Sequence, residues 1–189
     1  ERNKVFGERD WNTLQCNSFS ELAEQLYKKD SDTAEQKYFS IDNIIAGKGS
    51  FGKEDDAVED SSDRFNSVID FSNFLLHVLR VMTTKDIPLD DKRLIPTFEP
   101  YLKKGEKIKF VKHFAYNLLK LKFYYDKYII KREFVGGKDR WSLKRLKWYD
   151  DNSVSYVNTF EEEKQNQDIL MQLAMFHVSN PTLVYKHWL

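Results

Sequence analysis

The chain has a single cysteine, Cys16. It can form no internal disulfide and no cysteine cage around a metal, so it fits a reducing compartment, with the cytoplasm as the expected location. Proline and glycine are scarce, at 4 and 7 of 189 residues, which favours helices over turn-rich folds. Long apolar runs are missing too. The richest stretch, Phe71 to Met82, is interrupted by Ser72, Asn73, His77 and Arg80, well short of the roughly 20 residues of a membrane-spanning helix. No sign of charge prevails overall, with 30 basic and 30 acidic residues. A secretory leader does not follow Glu1, and the final residues, Tyr185 to Leu189, are still apolar without a helix-stopping glycine or proline. Both ends therefore suggest a piece of a longer protein.

What is present is unevenly placed. Residues 1–102 hold 13 basic and 20 acidic side chains, residues 103–147 hold 15 and 4, and residues 148–189 hold 2 and 6. A basic middle between acidic flanks is the footprint of a nucleic-acid surface or of a face that docks on acidic neighbours.

Hydrophobic spacing predicts an all-α fold: an irregular helical bundle around a central hydrophobic helix, with an acidic flexible loop and room for a short two-stranded element near 134–158. Residues 1–64 read as a loosely packed N-terminal helical segment with an acidic linker, and residues 65–189 as the helical core domain. Ser18 and Glu21 have the capping-box spacing, as do Thr159 and Glu162. Gly47 to Gly52, followed by the acidic run Glu54 to Asp63, reads as a linker; no Lys-Ser/Thr pair follows it, so it is not a phosphate loop. Val68 to Met82 is apolar almost all round and predicts the central helix, and Asp90 stands where it would cap a short helix limited by Pro96 and Pro100. The most informative span is the helix predicted over 106–133. Steps of 100° put Phe110, Phe114, Leu118, Leu121, Tyr125 and Tyr128 on one face. Lys109, Lys112, Tyr116, Lys120, Phe123, Lys127 and Lys131 form a ridge on the other. Gly136-Gly137 ends it, Trp141 to Tyr149 reads equally as helix or edge strand, and Pro181 opens a last helix.

Catalytic and metal-binding patterns are not found. His77 and His113 have no second histidine or carboxylate three or four residues away, and His177 and His187 lie in separate predicted helices. Cys16 has no histidine nearby. Asp90-Asp91 and Glu161-Glu162-Glu163 sit at helix starts, where capping accounts for them. The basic block alone remains as a candidate site: Lys109, Lys112, Lys120, Lys127, Lys131, Arg132, Lys144 and Arg145 as contacts to a nucleic-acid backbone, with no catalytic residue, cofactor or metal.

Three segments in order add a resemblance. Phe71-Ser72-Asn73-Phe74-Leu75-Leu76-His77-Val78-Leu79-Arg80 with Pro88-Leu89-Asp90-Asp91-Lys92-Arg93-Leu94 begins it. Phe123-Tyr124-Tyr125-Asp126-Lys127-Tyr128-Ile129-Ile130-Lys131-Arg132-Glu133 with Trp141-Ser142-Leu143-Lys144 continues it, and Gln167 to Leu189 closes it. Residues 65–189 resemble the middle region of GmrSD-type restriction proteins, which are large bacterial defence nucleases. The family's ParB-like N-terminal domain, with its Asp-Gly-Gln-Gln-Arg motif, and its His-Asn-His-type nuclease domain have no counterpart here. The resemblance therefore implies a non-catalytic helical connector that spaces and couples these outer domains of a modification-dependent restriction or phage-defence endonuclease. Its implied partners are the flanking domains of the same polypeptide and the DNA backbone, with no membrane. The alternative is a protein-interaction module docking on acidic partner domains with no nucleic-acid contact.

Overall fold

The computed structural model describes residues 5–6, 13–27, 64–103, 106–150, 153–180 and 189. In chain order they form α1 (Phe19–Tyr27), β1 (Phe65–Ser67), α2 (Phe71–Thr83), a 3-10 turn (Asp91–Arg93), α3 (Leu94–Lys103), α4 (Lys107–Tyr128), β2 (Lys131–Val135), β3 (Lys138–Ser142), β4 (Lys144–Asp150), β5 (Ser153–Asn158) and α5 (Glu163–Ser179). The glycine segment at 47–52, the acidic run at 54–63 and the helix expected from Pro181 lie outside the described residues.

The all-α expectation is overturned. Five strands form two antiparallel sheets, β1-β2-β3 and β4-β5, beside the helices, so the fold is mixed α/β. The helix expected to continue to Glu133 stops at Tyr128, and Ile129 is already extended at φ −95° and ψ 137°. Two β-branched residues, Ile129 and Ile130, favour that change. Gly136 and Gly137 then adopt φ of 58° and 72° and join paired Val135 and Lys138 in a two-residue hairpin. Positive φ at both central residues matches the right-handed twist of the flanking strands. What hid β2 is its buried face. Lys131 and Glu133 point inward, so the inward-facing positions are charged and the apolar-polar alternation that identifies a strand does not occur.

Local signals set most helix ends. At α1, Ser18 Oγ accepts the Glu21 N–H (3.2 Å) while Glu21 reaches back to the Asn17 N–H (2.8 Å). At α2, the Asp70 carboxylate accepts from the Asn73 N–H and from Asn73 Nδ2, both at 2.7 Å. Asp90 accepts the Lys92 N–H (3.1 Å) at the 3-10 turn. The second capping-box form does not operate: Thr159 Oγ1 donates to the Lys127 carbonyl (2.6 Å). Buried Asn166 instead reaches back from α5 to accept the Phe160 N–H (3.1 Å).

Helix α4, about 33 Å long at 1.5 Å per residue, is the axis. On one side Phe110 and Phe114 pack against Leu76, Leu79, Ile87 and Leu89, and Leu118, Leu121 and Tyr125 against Ile69, Phe74 and Val78. That is the apolar face anticipated from spacing. The side expected to carry the ridge is also covered: Tyr116 and Leu119 meet Val5, Cys16, Phe19 and Leu22, and the Tyr116 hydroxyl donates to the Cys16 carbonyl (2.9 Å). The central helix α2 is exposed at Phe71 and Val81, so it is not buried all round.

Truncating fully buried Leu79 to alanine is expected to cost about 2–5 kcal/mol of stability. The same change at Ile95, 79% exposed, should stay within about 0.5 kcal/mol. Urea unfolding curves of the two variants check this.

Candidate nucleic-acid interface

The eight cations anticipated as backbone contacts divide into two groups. Lys109 and Lys112 are exposed on α4, with Lys109 Nζ 3.2 Å from the Glu106 carboxylate and Lys112 Nζ 5.8 Å from the centre of the Phe19 ring. Lys120 is half-buried on the same helix, and Lys127 lies over the rings of Phe123 and Tyr128 at 5.9 and 5.1 Å. The other four are engaged in or beside the strand region. Lys131 is on β2, not on the helix, and is buried; Arg145 is buried as well. Arg132 grips Asp139, its Nε 2.9 Å from Oδ1, and Lys144 grips Glu133. The aromatics of the ridge do not stand free, since Tyr116 is buried and Phe123 stacks on Phe6 at 5.4 Å.

Glu133 is the organising group, and sequence reasoning missed it because a lone carboxylate in a basic run has no pattern. It is 1% exposed. Arg64 donates to Oε1 through Nε (3.0 Å) and Nη2 (2.6 Å), Arg140 donates to Oε2 (3.2 Å), and Lys144 bridges both oxygens at 2.9 and 3.0 Å. Pairing puts Arg140 directly across from Glu133 on β3 and Phe65 across from it on β1. Three cations thus converge from the start of β1, from β3 and from β4. Burial by itself pushes this carboxyl up; the hydrogen bonds from Lys144 and Arg64, with the charges of Lys144 and Arg140, outweigh it and hold the pKa at about 2.

The opposite face of the same sheet is built on Arg132 and Trp141, which are paired across β2 and β3. The guanidinium lies 4.5 Å from the Trp141 ring centre, a cation–π contact. His177 of α5 meets the edge of that ring at 4.9 Å. Burial and the Arg132 charge together push the His177 pKa down. This is how α5 is held to the sheet.

Burial pushes the Cys16 thiol up, away from the thiolate, and no group of three or more His, Cys, Asp or Glu side chains among the described residues is placed to hold a metal ion. Among the described residues, no helix is long and apolar enough to cross a membrane. Comparison with protein-family models, with curated proteins and with solved structures finds no match.

Because Glu133 has a depressed folded-state pKa, its contribution to stability is fully present above the ordinary 4.5 and is lost as pH falls through about 2. Glu133→Gln is expected to cost about 1–3 kcal/mol near neutral pH, because the buried carboxylate loses its charge-assisted hydrogen bonds, while its partners Lys144, Arg64 and Arg140, 21%, 38% and 56% exposed, can turn partly to water. The difference between wild-type and variant stability should shrink steadily from pH 4.5 to pH 2, as read by urea unfolding across that range.

Proposed function

We propose that this chain is a non-catalytic connector module of a cytoplasmic, modification-dependent restriction or phage-defence DNA endonuclease, spacing and coupling the domains on either side of it. The resemblance over residues 65–189 supports the family. The observation that carries the coupling role is α5. Its inward positions Ile169, Leu170, Leu173 and His177 are partly buried, while Met171, Met175 and Val178 are exposed. Spaced by four and three residues, these form one apolar stripe on the solvent side, where a helix with no partner carries polar residues. Ile95 of α3 and Ile108 and Val111 of α4 add further exposed apolar side chains.

Contact with the DNA backbone belongs to this reading in a narrowed form. It falls to Lys109, Lys112 and Lys120, because Lys127 lies over aromatic rings and Lys131, Arg132, Lys144 and Arg145 are engaged in the strand region or buried. That same division favours a second reading, a protein-interaction module with no nucleic-acid contact, in which the basic block serves the fold and the apolar stripe serves the partner.

Fluorescence anisotropy of a labelled duplex, titrated at several salt concentrations, separates the two. The connector reading predicts binding that weakens with salt, and three phosphate contacts give a slope of log affinity on log salt of about −2.7. Changing Lys109, Lys112 and Lys120 together to Glu should abolish that binding while circular dichroism stays unchanged. No binding at low salt removes the DNA contact and leaves the protein-docking module.

A further inference from the structure

A cleft of about 420 Å³ opens between β1, the start of α2, the last turns of α4 and the β4–β5 hairpin. Its walls are aromatic: Phe65, Phe71, Phe74, Tyr125 and Tyr156. Phe65 and Tyr156 form a tilted pair with centres 4.4 Å apart, whereas Phe71 is 63% exposed. The Ser67 and Tyr125 hydroxyls, 2.7 Å apart, supply a hydrogen-bonding pair in the same cleft.

The charges lining the cleft are not all spoken for. Both oxygens of Asp70 are taken by Asn73, and Asp126 is taken by Lys122. Lys131 is different. It is only 8% exposed and lines the cleft, yet among the described residues its ammonium makes one hydrogen bond, to the Lys144 carbonyl at 3.0 Å. Glu133, two residues on, is already occupied by Arg64, Arg140 and Lys144. An ammonium has three donors. Those left over meet the faces of Phe65 and Tyr156, at 5.6 and 5.9 Å from the ring centres. Asp126 and Glu133 attract Lys131, but each is in contact with other cations, and among the described residues no carboxylate pairs with Lys131 directly. A desolvated cation without a contacting anion is costly, and an anionic group entering the cleft supplies one.

A ligand matching these features has a flat ring for the aromatic walls and an anionic group for Lys131, within the range of cleft volumes that hold small molecules. We propose that this cleft binds an unstacked nucleotide, with its phosphate on Lys131 Nζ beside the Ser67 and Tyr125 hydroxyls and its base against Phe71. Two sources present that chemistry: a free mononucleotide, or one nucleotide of a single strand. Paired, stacked bases of a duplex cannot enter, so this site is separate from the exposed lysines of α4 and does not rest on the duplex contact.

Isothermal titration calorimetry of the chain with adenosine 5′-monophosphate, with adenosine and with a hexamer of deoxyadenylate tests it. Adenosine 5′-monophosphate should bind about ten-fold tighter than adenosine, the worth of one charge-assisted contact. Lys131→Met should bring it to the level of adenosine, and Phe71→Ala should weaken both. Tighter binding of the hexamer assigns the ligand to a strand; equal or weaker binding assigns it to a free nucleotide. The triple change at Lys109, Lys112 and Lys120 should leave nucleotide binding intact, which keeps this test separate from the duplex one. The proposal is overturned if millimolar adenosine 5′-monophosphate does not bind, or binds no tighter than adenosine. Unchanged binding in Phe71→Ala overturns it as well, and since Phe71 is exposed that variant stands even if Lys131→Met fails to fold.

Discussion

A buried carboxylate between three cations is the constraint on which the strand half of this protein depends. Glu133 joins Arg64 before β1, Arg140 on β3 and Lys144 on β4. An ion cluster of this kind adds little net stability relative to a well-packed apolar core, but it is costly to break once built. What it contributes is register. Slipping β2 by one residue would turn Glu133 to the other face and leave the cations without an anion.

From that register the rest of the strand region follows. With Glu133 turned inward, Lys131 faces the same side and reaches the cleft wall, while Arg132 faces the other and meets Trp141. Trp141 in turn receives His177, so the orientation of α5, and of its exposed Met171, Met175 and Val178, is inherited from the strand pairing. The helical half depends on a different principle. There α4 fills two sides at once, with Phe114 and Tyr125 against α2 and Tyr116 against the N-terminal segment.

Much of the helical half was legible in the sequence because its signals are local. A period of 3.6 residues exposes Phe110, Phe114, Leu118 and Leu121 as one face, and Ser18 with Glu21 marks a helix start three residues apart. Of the strand half only a short two-stranded element near 134–158 was anticipated, and β1 and β2 were missed for a physical reason. The inward residues of β2, Lys131 and Glu133, are charged, and their partners Arg64 and Lys144 lie 69 and 11 residues from Glu133. Counting charge in a window cannot distinguish a cation turned to solvent, such as Lys109, from one turned to a buried carboxylate, such as Lys144. Thr159 shows the same limit at smaller scale, since its hydroxyl is claimed by Lys127 from a distant helix end. The cleft was beyond reach altogether, because β1, α2, α4, β2 and the β4–β5 hairpin each bring part of it.

The functional account therefore rests on dividing one basic block into cations that build the fold and cations that are left for a partner. Native-state hydrogen exchange of wild type and Glu133→Gln tests that division most directly. The account predicts that backbone amides of β1, β2 and β3 lose protection in the variant, while those of α2 and α4, which pack on apolar side chains, keep theirs. Equal protection of the strands in both proteins would contradict it, because Arg64, Arg140 and Lys144 would then not be held in place by Glu133.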